Sequence, residues 1–149
     1  MIVVAIIGMV AAMGMPSIMK AVQKEGMRKA ISDITDVCAS ARAKAIWTQK
    51  PVAVVFHPSP EDESFEVQGG GEGHSSTYVH AGKLPPGVHF AMLDIEQQDY
   101  FESKDAYVWF FPNGTANEMF MVLEDNKSDK RKITTEFATG MTHVSDVDR

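Results

Sequence analysis

The chain of 149 residues lacks the short motifs that mark many enzymes and metalloproteins. Its single cysteine, Cys38, allows no disulfide within the chain. The five histidines include no His-x-x-x-His pair and there is no Cys-x-x-Cys pair, which excludes the common zinc motifs. No serine stands in a Gly-x-Ser-x-Gly turn, and the glycines of residues 69–73 lack the Lys-Ser/Thr of a phosphate-binding loop. The sequence therefore predicts no catalytic, cofactor or metal site.

Charge is absent from one end of the chain. Residues 1–19 contain no Asp, Glu, Lys or Arg, and the first charged side chain is that of Lys20. Because about 20 apolar helical residues cross the hydrocarbon core of a bilayer, we expect a membrane-spanning helix or a helix buried in a bundle. A cleavable secretory signal is disfavoured, since no basic residue precedes the run and Ala11 to Gly14 is a poor cleavage site. The basic residues that follow would hold the rest of the chain in the cytoplasm by the positive-inside rule.

From Lys20 to about Trp47 the pattern is that of an amphipathic helix. Apolar residues recur at steps of three and four, which aligns them in one stripe, while charged residues such as Arg42 and Lys44 fill the other face. We expect the stripe to pack on the rest of the chain, and Pro51 to end the helix. The residues expected to make this contact are Met27, Ile31, Ile34, Val37, Cys38, Ala41 and Ile46.

Residues 51–149 predict a β-rich head. The expected strands are separated by turns rich in Gly, Pro and Asn, which is typical of an antiparallel sheet or sandwich. The fold class is thus α+β, with a transmembrane part of the helix at 1–19, an amphipathic part at 20–50 and the head at 51–149. The strands are expected at 52–56, 65–67, 77–80, 88–93, 106–111, 119–123, 131–137 and 141–144.

The two parts of the chain carry opposite charge. Residues 1–50 contain seven Lys/Arg and three Asp/Glu, a net charge of +4, whereas residues 51–149 contain seven and seventeen, a net charge of −10. Such an acidic head argues against a nucleic-acid surface, which needs clustered Lys and Arg. The acidic segment 124–129 could offer oxygen ligands to calcium. It lacks the glycine and the distal glutamate of an EF-hand loop, so a solvated turn is favoured.

Several segments resemble known proteins. The residues Met1-Ile2-Val3-Val4-Ala5-Ile6-Ile7-Gly8, followed by Ala11-Ala12 and Pro16, resemble the N-terminal helix of type IV pilins and type II secretion pseudopilins. Ala39 to Ile46 and Lys50 to Phe56 are similar to the GspH/FimT branch, whose helix ends in Ala-Arg-x-x-Ala-Ile before Pro-Val and the first strand.

Two further segments extend the resemblance into the head. Phe110 to Thr115, which includes Phe111, Pro112 and Gly114, is similar to the Phe-x-Pro-x-Gly-Ser/Thr turn of the same branch. Residues 131–144 resemble its closing pair of strands. In the family a glutamate lies about two residues upstream of the position of Met1, after a basic leader that stays in the cytoplasm. We therefore expect that the chain begins inside the motif, and the leader would remove the conflict with the positive-inside rule.

The resemblance implies a non-enzymatic subunit of an envelope-spanning filament, without cofactors. Its helix would be stored in the inner membrane, with the head in the periplasm, and then packed against other pilin or pseudopilin subunits by the inner-membrane assembly machinery. The first hypothesis is a GspH-like minor pseudopilin of type II protein secretion. The alternatives are a FimT/FimU-like minor pilin, for priming or DNA uptake, and a membrane-anchored periplasmic enzyme or binding protein. The residues expected to pack in the membrane or filament are Val3, Val4, Ile6, Ile7, Gly8, Val10, Gly14, Pro16 and Ile18.

Overall fold

The structure is a computed structural model that describes residues 2–69, 81–100 and 105–147, with side chains described from residue 25 onward. The chain begins with one continuous helix, α1 (Ile2–Thr48). The 47 residues of α1 extend over about 70 Å at the usual rise per residue. The helix ends three residues before Pro51, with Gln49 at a φ of 55°.

The predicted membrane segment concerns the first part of this helix. Among the described residues, no helix combines the length and the apolar character needed to cross a bilayer. The predicted span of residues 1–19 and its packing residues, from Val3 to Ile18, lie outside the residues whose side chains are described. That part of the prediction stays a prediction.

The strands form two antiparallel sheets, as the sequence predicts. β1 (Val52–His57), β2 (Ser64–Gly69), β3 (Ala81–Lys83) and β6 (Ala106–Phe110) make a four-stranded sheet in the order β3-β2-β1-β6. The second sheet has the order β5-β4-β7-β8-β9 and contains β4 (Val88–Ile95), β5 (Gln98–Asp99), β7 (Met119–Asp125), β8 (Lys130–Thr135) and β9 (Thr142–Asp146). The predicted α+β class, one helix packed on an antiparallel β head, is confirmed.

Individual strands differ from the prediction at their ends. The predicted strand 77–80 lies outside the described residues, which resume at β3 (Ala81–Lys83). β5, of two residues, was not predicted because a run that short has no periodic signal. β8 ends at Thr135 rather than at Phe137, because Glu136 already belongs to the turn: its N–H donates to Met141 O at 2.9 Å and its carbonyl accepts from Gly140 N at 2.8 Å.

The core lies between α1 and the inner faces of both sheets. The aromatic ring of Phe56 on β1 lies 6.3 Å from that of Phe65 on β2 and 6.3 Å from that of Phe90 on β4, so it joins the two sheets. The apolar side chains of α1 cover the same core, and burial of this kind contributes roughly 1.5–3 kcal/mol for each large side chain. The fully or nearly fully buried residues of α1 are Met27, Ala30, Ile34, Val37, Cys38, Ala41 and Ala45, each at most 4% exposed.

Candidate functional site at the Arg42 junction and the α1 flank

Two turns of the head meet α1 at Arg42. The Nε–H of Arg42 donates to the carbonyl oxygen of Gly114 at 3.3 Å. Gly114 belongs to the turn after β6, which is closed by hydrogen bonds from Gly114 N to Phe111 O and from Phe111 N to Thr115 O, each 2.9 Å long. Gly140, in the turn before β9, lies against both the same carbonyl and the Arg42 side chain. We call this meeting point the Arg42 junction.

Glycine is required at the Arg42 junction for steric reasons. Gly114 and Gly140 have φ angles of 86° and 60°, a region that residues with a side chain occupy at a cost. A Cβ on Gly140 would lie 2.6 Å from Gly114 O, closer than such atoms can approach, and 3.2 Å from Arg42 Cδ, a tight contact. The glycine of the Phe-x-Pro-x-Gly turn and the glycine before the last strand thus allow both turns to touch the helix.

The structure places most of the predicted helix-to-head residues against the core. Met27, Ile34, Val37, Cys38 and Ala41 are buried. Ile31 is partly buried and packs against the same cluster. The Phe111 and Pro112 side chains are half-buried in the turn, and Gly114 is buried.

Ile46 does not follow the expectation. Its side chain is 38% exposed, because Ala45, one residue earlier, fills the buried position at this level of the helix. Ile46 lies instead at the rim of the Arg42 junction, where its Cδ1 is 3.9 Å from the position of a Cβ on Gly114. Sequence reasoning had also placed Arg42 on the solvent face. The one signal for its half-buried position was its place in the Ala-Arg-x-x-Ala-Ile segment.

Cys38 of α1 is a core residue whose side chain forms a hydrogen bond with that of Thr142 on β9. Complete burial raises the pKa of its thiol from 9.0 to about 12, and a hydrogen bond with the Thr142 side chain acts in the opposite direction. A thiol with such a pKa stays protonated at neutral pH and is a poor nucleophile.

The acidic segment 124–129 forms the turn between β7 and β8. Asp125, only 8% exposed, accepts hydrogen bonds at Oδ1 from Lys127 N at 2.8 Å and Asp129 N at 2.9 Å. Its carboxylate therefore serves the turn's own backbone, which is a common use of Asp. In the described part of the chain, no group of three or more His, Cys, Asp and Glu side chains is arranged to hold a metal ion.

The buried stripe of α1 is bordered by two flanks of different charge. A groove of about 290 Å³ separates one flank from β9. On this flank, residues at helical spacings of three and four are Arg28, Ile31, Thr35, Ala39 and Arg42, with two basic residues and no acidic one. The opposite flank is mixed and carries Lys29, Asp33, Ser40 and Lys44.

Comparison with known proteins gives one structural match. No protein-family model matches the chain, and no curated protein matches it in sequence. The crystal structure of the type IV minor pilin FimU of Pseudomonas aeruginosa (strain PAO1) is similar with a TM-score of 0.57, over 79% of this chain and 91% of that chain, at 12% sequence identity. At an identity this low, the similarity shows a shared fold and nothing more. The chain therefore has a pilin-like fold, in which one long N-terminal helix packs on an antiparallel β head.

Proposed function

We propose that the chain is a structural, non-enzymatic minor subunit of a pilin-type filament, which assembles through its N-terminal helix. The observation that carries the proposal is the pilin-like fold, one long helix packed on an antiparallel β head, in a chain whose first nineteen residues are uncharged. The helix begins at Ile2, and its part from Gly26, beside Pro85, to Ile46 contacts the head. An uncharged helical segment of about twenty residues suits a membrane or a bundle of neighbouring helices.

The first candidate system is the type II secretion pseudopilus, with the chain as a GspH-like minor pseudopilin. The resemblance of Ala39–Ile46, Lys50–Phe56 and Phe110–Thr115 to that branch supports it, and two of these segments meet at the Arg42 junction. In this role the subunit is held in the inner membrane with its head in the periplasm. Its partners are other pseudopilins and the inner-membrane assembly machinery.

The second candidate is a minor pilin of a type IV pilus. The similarity to the fold of FimU favours it. A role in DNA uptake is disfavoured within this candidate, because residues 51–149 carry a net charge of −10 and DNA-binding surfaces are basic.

Deletion of the gene in its host separates the two candidates. A pseudopilin is expected to leave surface pili intact and to abolish release of the secreted enzymes into the medium, whereas a minor pilin gives the opposite result. A strain that retains both pili and secretion would contradict the proposal as a whole.

A matched pair of alleles tests the role of the helix in the same strain. Val10→Lys is expected not to restore the lost function, because a charge in an apolar bundle costs several kcal/mol. Gln23→Lys, which adds the same charge beyond the uncharged segment, is expected to restore it. Equal restoration by both alleles would contradict assembly through the apolar segment.

A further inference from the structure

In the described residues, one of the four sheet edges is both long and open. The edge strand β5 has two residues, and β3 has three in the described part of the chain. The edge of β6 is covered by Asn117, whose N–H donates to Trp109 O at 2.9 Å and whose Oδ1 accepts from Trp109 N at 2.8 Å. β9 has five residues and, among the described strands, pairs only with β8. An open edge of this length is a template for a further strand.

The backbone of β9 presents hydrogen-bonding groups at this edge. Glu136 N donates to Met141 O at 2.9 Å, and β8 and β9 stay in register without a shift. Because bonded and non-bonded pairs alternate in an antiparallel ladder, Thr142, Val144 and Asp146 direct their N–H and C=O groups away from β8. The sequence Thr-His-Val-Ser-Asp contains no lysine or proline, the residues that commonly protect an edge.

The same edge lies beside the basic flank of α1. The groove between them is lined by Thr35, Ala39 and Arg42 on the helix and by Met141, Thr142 and His143 on the strand side. The described residues include no carboxylate within ion-pair distance of Arg42 or Arg28, whereas Lys83, Lys130 and Arg131 each have a carboxylate partner. Arg42 uses Nε for Gly114 O, which leaves its other N–H groups for a ligand.

We propose that this edge and the adjoining flank, together the β9 edge site, bind an extended acidic segment of a neighbouring filament subunit. The segment pairs with β9 as an added strand, through the backbone groups of Val144 and its alternate neighbours. It places a carboxylate against the guanidinium of Arg42, for which a bidentate contact is favourable. Val144, 45% exposed although it lies opposite the fully buried Ile133, becomes covered. The inference rests on the proposed function, which supplies the neighbouring subunit.

The backbone part of the β9 edge site is tested with two substitutions of one residue in the full-length protein, produced in its host. Val144→Pro removes the outward N–H without removing a bond to β8, and Val144→Thr keeps that N–H and the branched shape. We expect the proline variant to be recovered in sheared filaments at about one tenth of the amount of the threonine variant. Equal melting temperatures in circular dichroism show that both are folded. Equal recovery of the two variants would overturn the inference.

The occupant is identified with a photoreactive residue, p-benzoylphenylalanine, at Ala39 or at Ala43. Both alanines are exposed, and only Ala39 lies in the groove. We expect the probe at Ala39 to capture an Asp/Glu-rich peptide of another pilin-type subunit, and the probe at Ala43 not to capture that peptide. Capture of nucleic acid or lipid at Ala39, or no capture from a protein that is present in filaments, contradicts the inference. This test decides the matter if Val144→Pro does not fold.

The charge part is tested by the yield of the Ala39 cross-link. Arg42→Gln is expected to lower the yield about fivefold or more, and Lys44→Gln, half-buried on the opposite flank, to leave it unchanged. Equal effects of the two substitutions contradict a specific role for Arg42. If gene deletion abolishes secretion or pili while these tests fail, the β9 edge site is wrong and the proposed function stands.

Discussion

Replacement of Gly140 by alanine tests the steric account of the Arg42 junction. The residue has a φ of 60°, which costs alanine about 1–2 kcal/mol. Its Cβ would lie 2.6 Å from Gly114 O, so the two turns must move apart and the hydrogen bond from Arg42 weakens, a loss of about 1 kcal/mol. Alanine also reduces the conformational freedom of the unfolded chain, which offsets about 0.5 kcal/mol of this loss. The net expected loss is about 2 kcal/mol.

Thermal unfolding of the full-length protein, followed by circular dichroism, measures this loss. A change of about 2 kcal/mol corresponds to a fall in melting temperature of roughly 4–8 °C for a chain of this size. Gly26→Ala is the matched control, because among the described residues its Cβ would meet Pro85 Cβ at 3.8 Å and Val88 Cγ2 at 3.9 Å, ordinary contact distances. Since alanine favours the helix by about 1 kcal/mol, this variant is expected to melt at a higher temperature than the wild type. A Gly140→Ala protein that melts at or above the wild-type temperature would refute the account.

Three further predictions use the same unfolding measurement. Ile34→Ala is expected to lower the free energy of unfolding by about 3 kcal/mol because the side chain is fully buried. Ile46→Ala is expected to lower it by less than about 1 kcal/mol because that side chain is 38% exposed, and equal losses would contradict the helix packing. Asp125→Ala is expected to cost about 1.5–3 kcal/mol through two lost N–H bonds, and Asp125→Asn clearly less because one acceptor oxygen remains. Burial raises the pKa of Cys38 from 9.0 to about 12, so the thiol of the unfolded chain ionises at a lower pH than that of the folded chain. The free energy of unfolding is therefore expected to fall between these pH values more steeply in the wild type than in Cys38→Ala. Parallel curves of stability against pH would contradict the burial of Cys38.

The sequence contained enough to predict the class of fold and most strands. Strands with apolar runs, such as Val52 to Phe56 and Met119 to Leu123, were found close to their true bounds because burial leaves a local pattern. The stripe of α1 was predicted from its spacing. The spacing could not decide between Ala45 and Ile46, since both lie within reach of the stripe and only the shape of the core selects the smaller residue.

The order of the strands and the Arg42 junction could not be read from the sequence. Arg42 and Gly114 are 72 positions apart, and no local rule brings such residues together. β9 was predicted only approximately, at 141–144, because nearly all of its side chains are exposed and it lacks the alternation of a half-buried strand. β9 lies at the edge of its sheet and has a neighbouring strand on one side, so its side chains stay exposed and show no alternation. The same open edge is the basis of the β9 edge site.

Recovery of the full-length protein in sheared filaments tests the central claim most directly. Cells are grown under conditions in which the filament assembles, surface or periplasmic filaments are collected by shearing, and the chain is detected with an antibody against the head. We predict that the chain is present in this fraction and is absent from it when the assembly ATPase gene is deleted, with its level in the membrane fraction maintained. A chain that stays in the membrane fraction in both strains, while filaments form normally, would contradict the claim that it is a filament subunit.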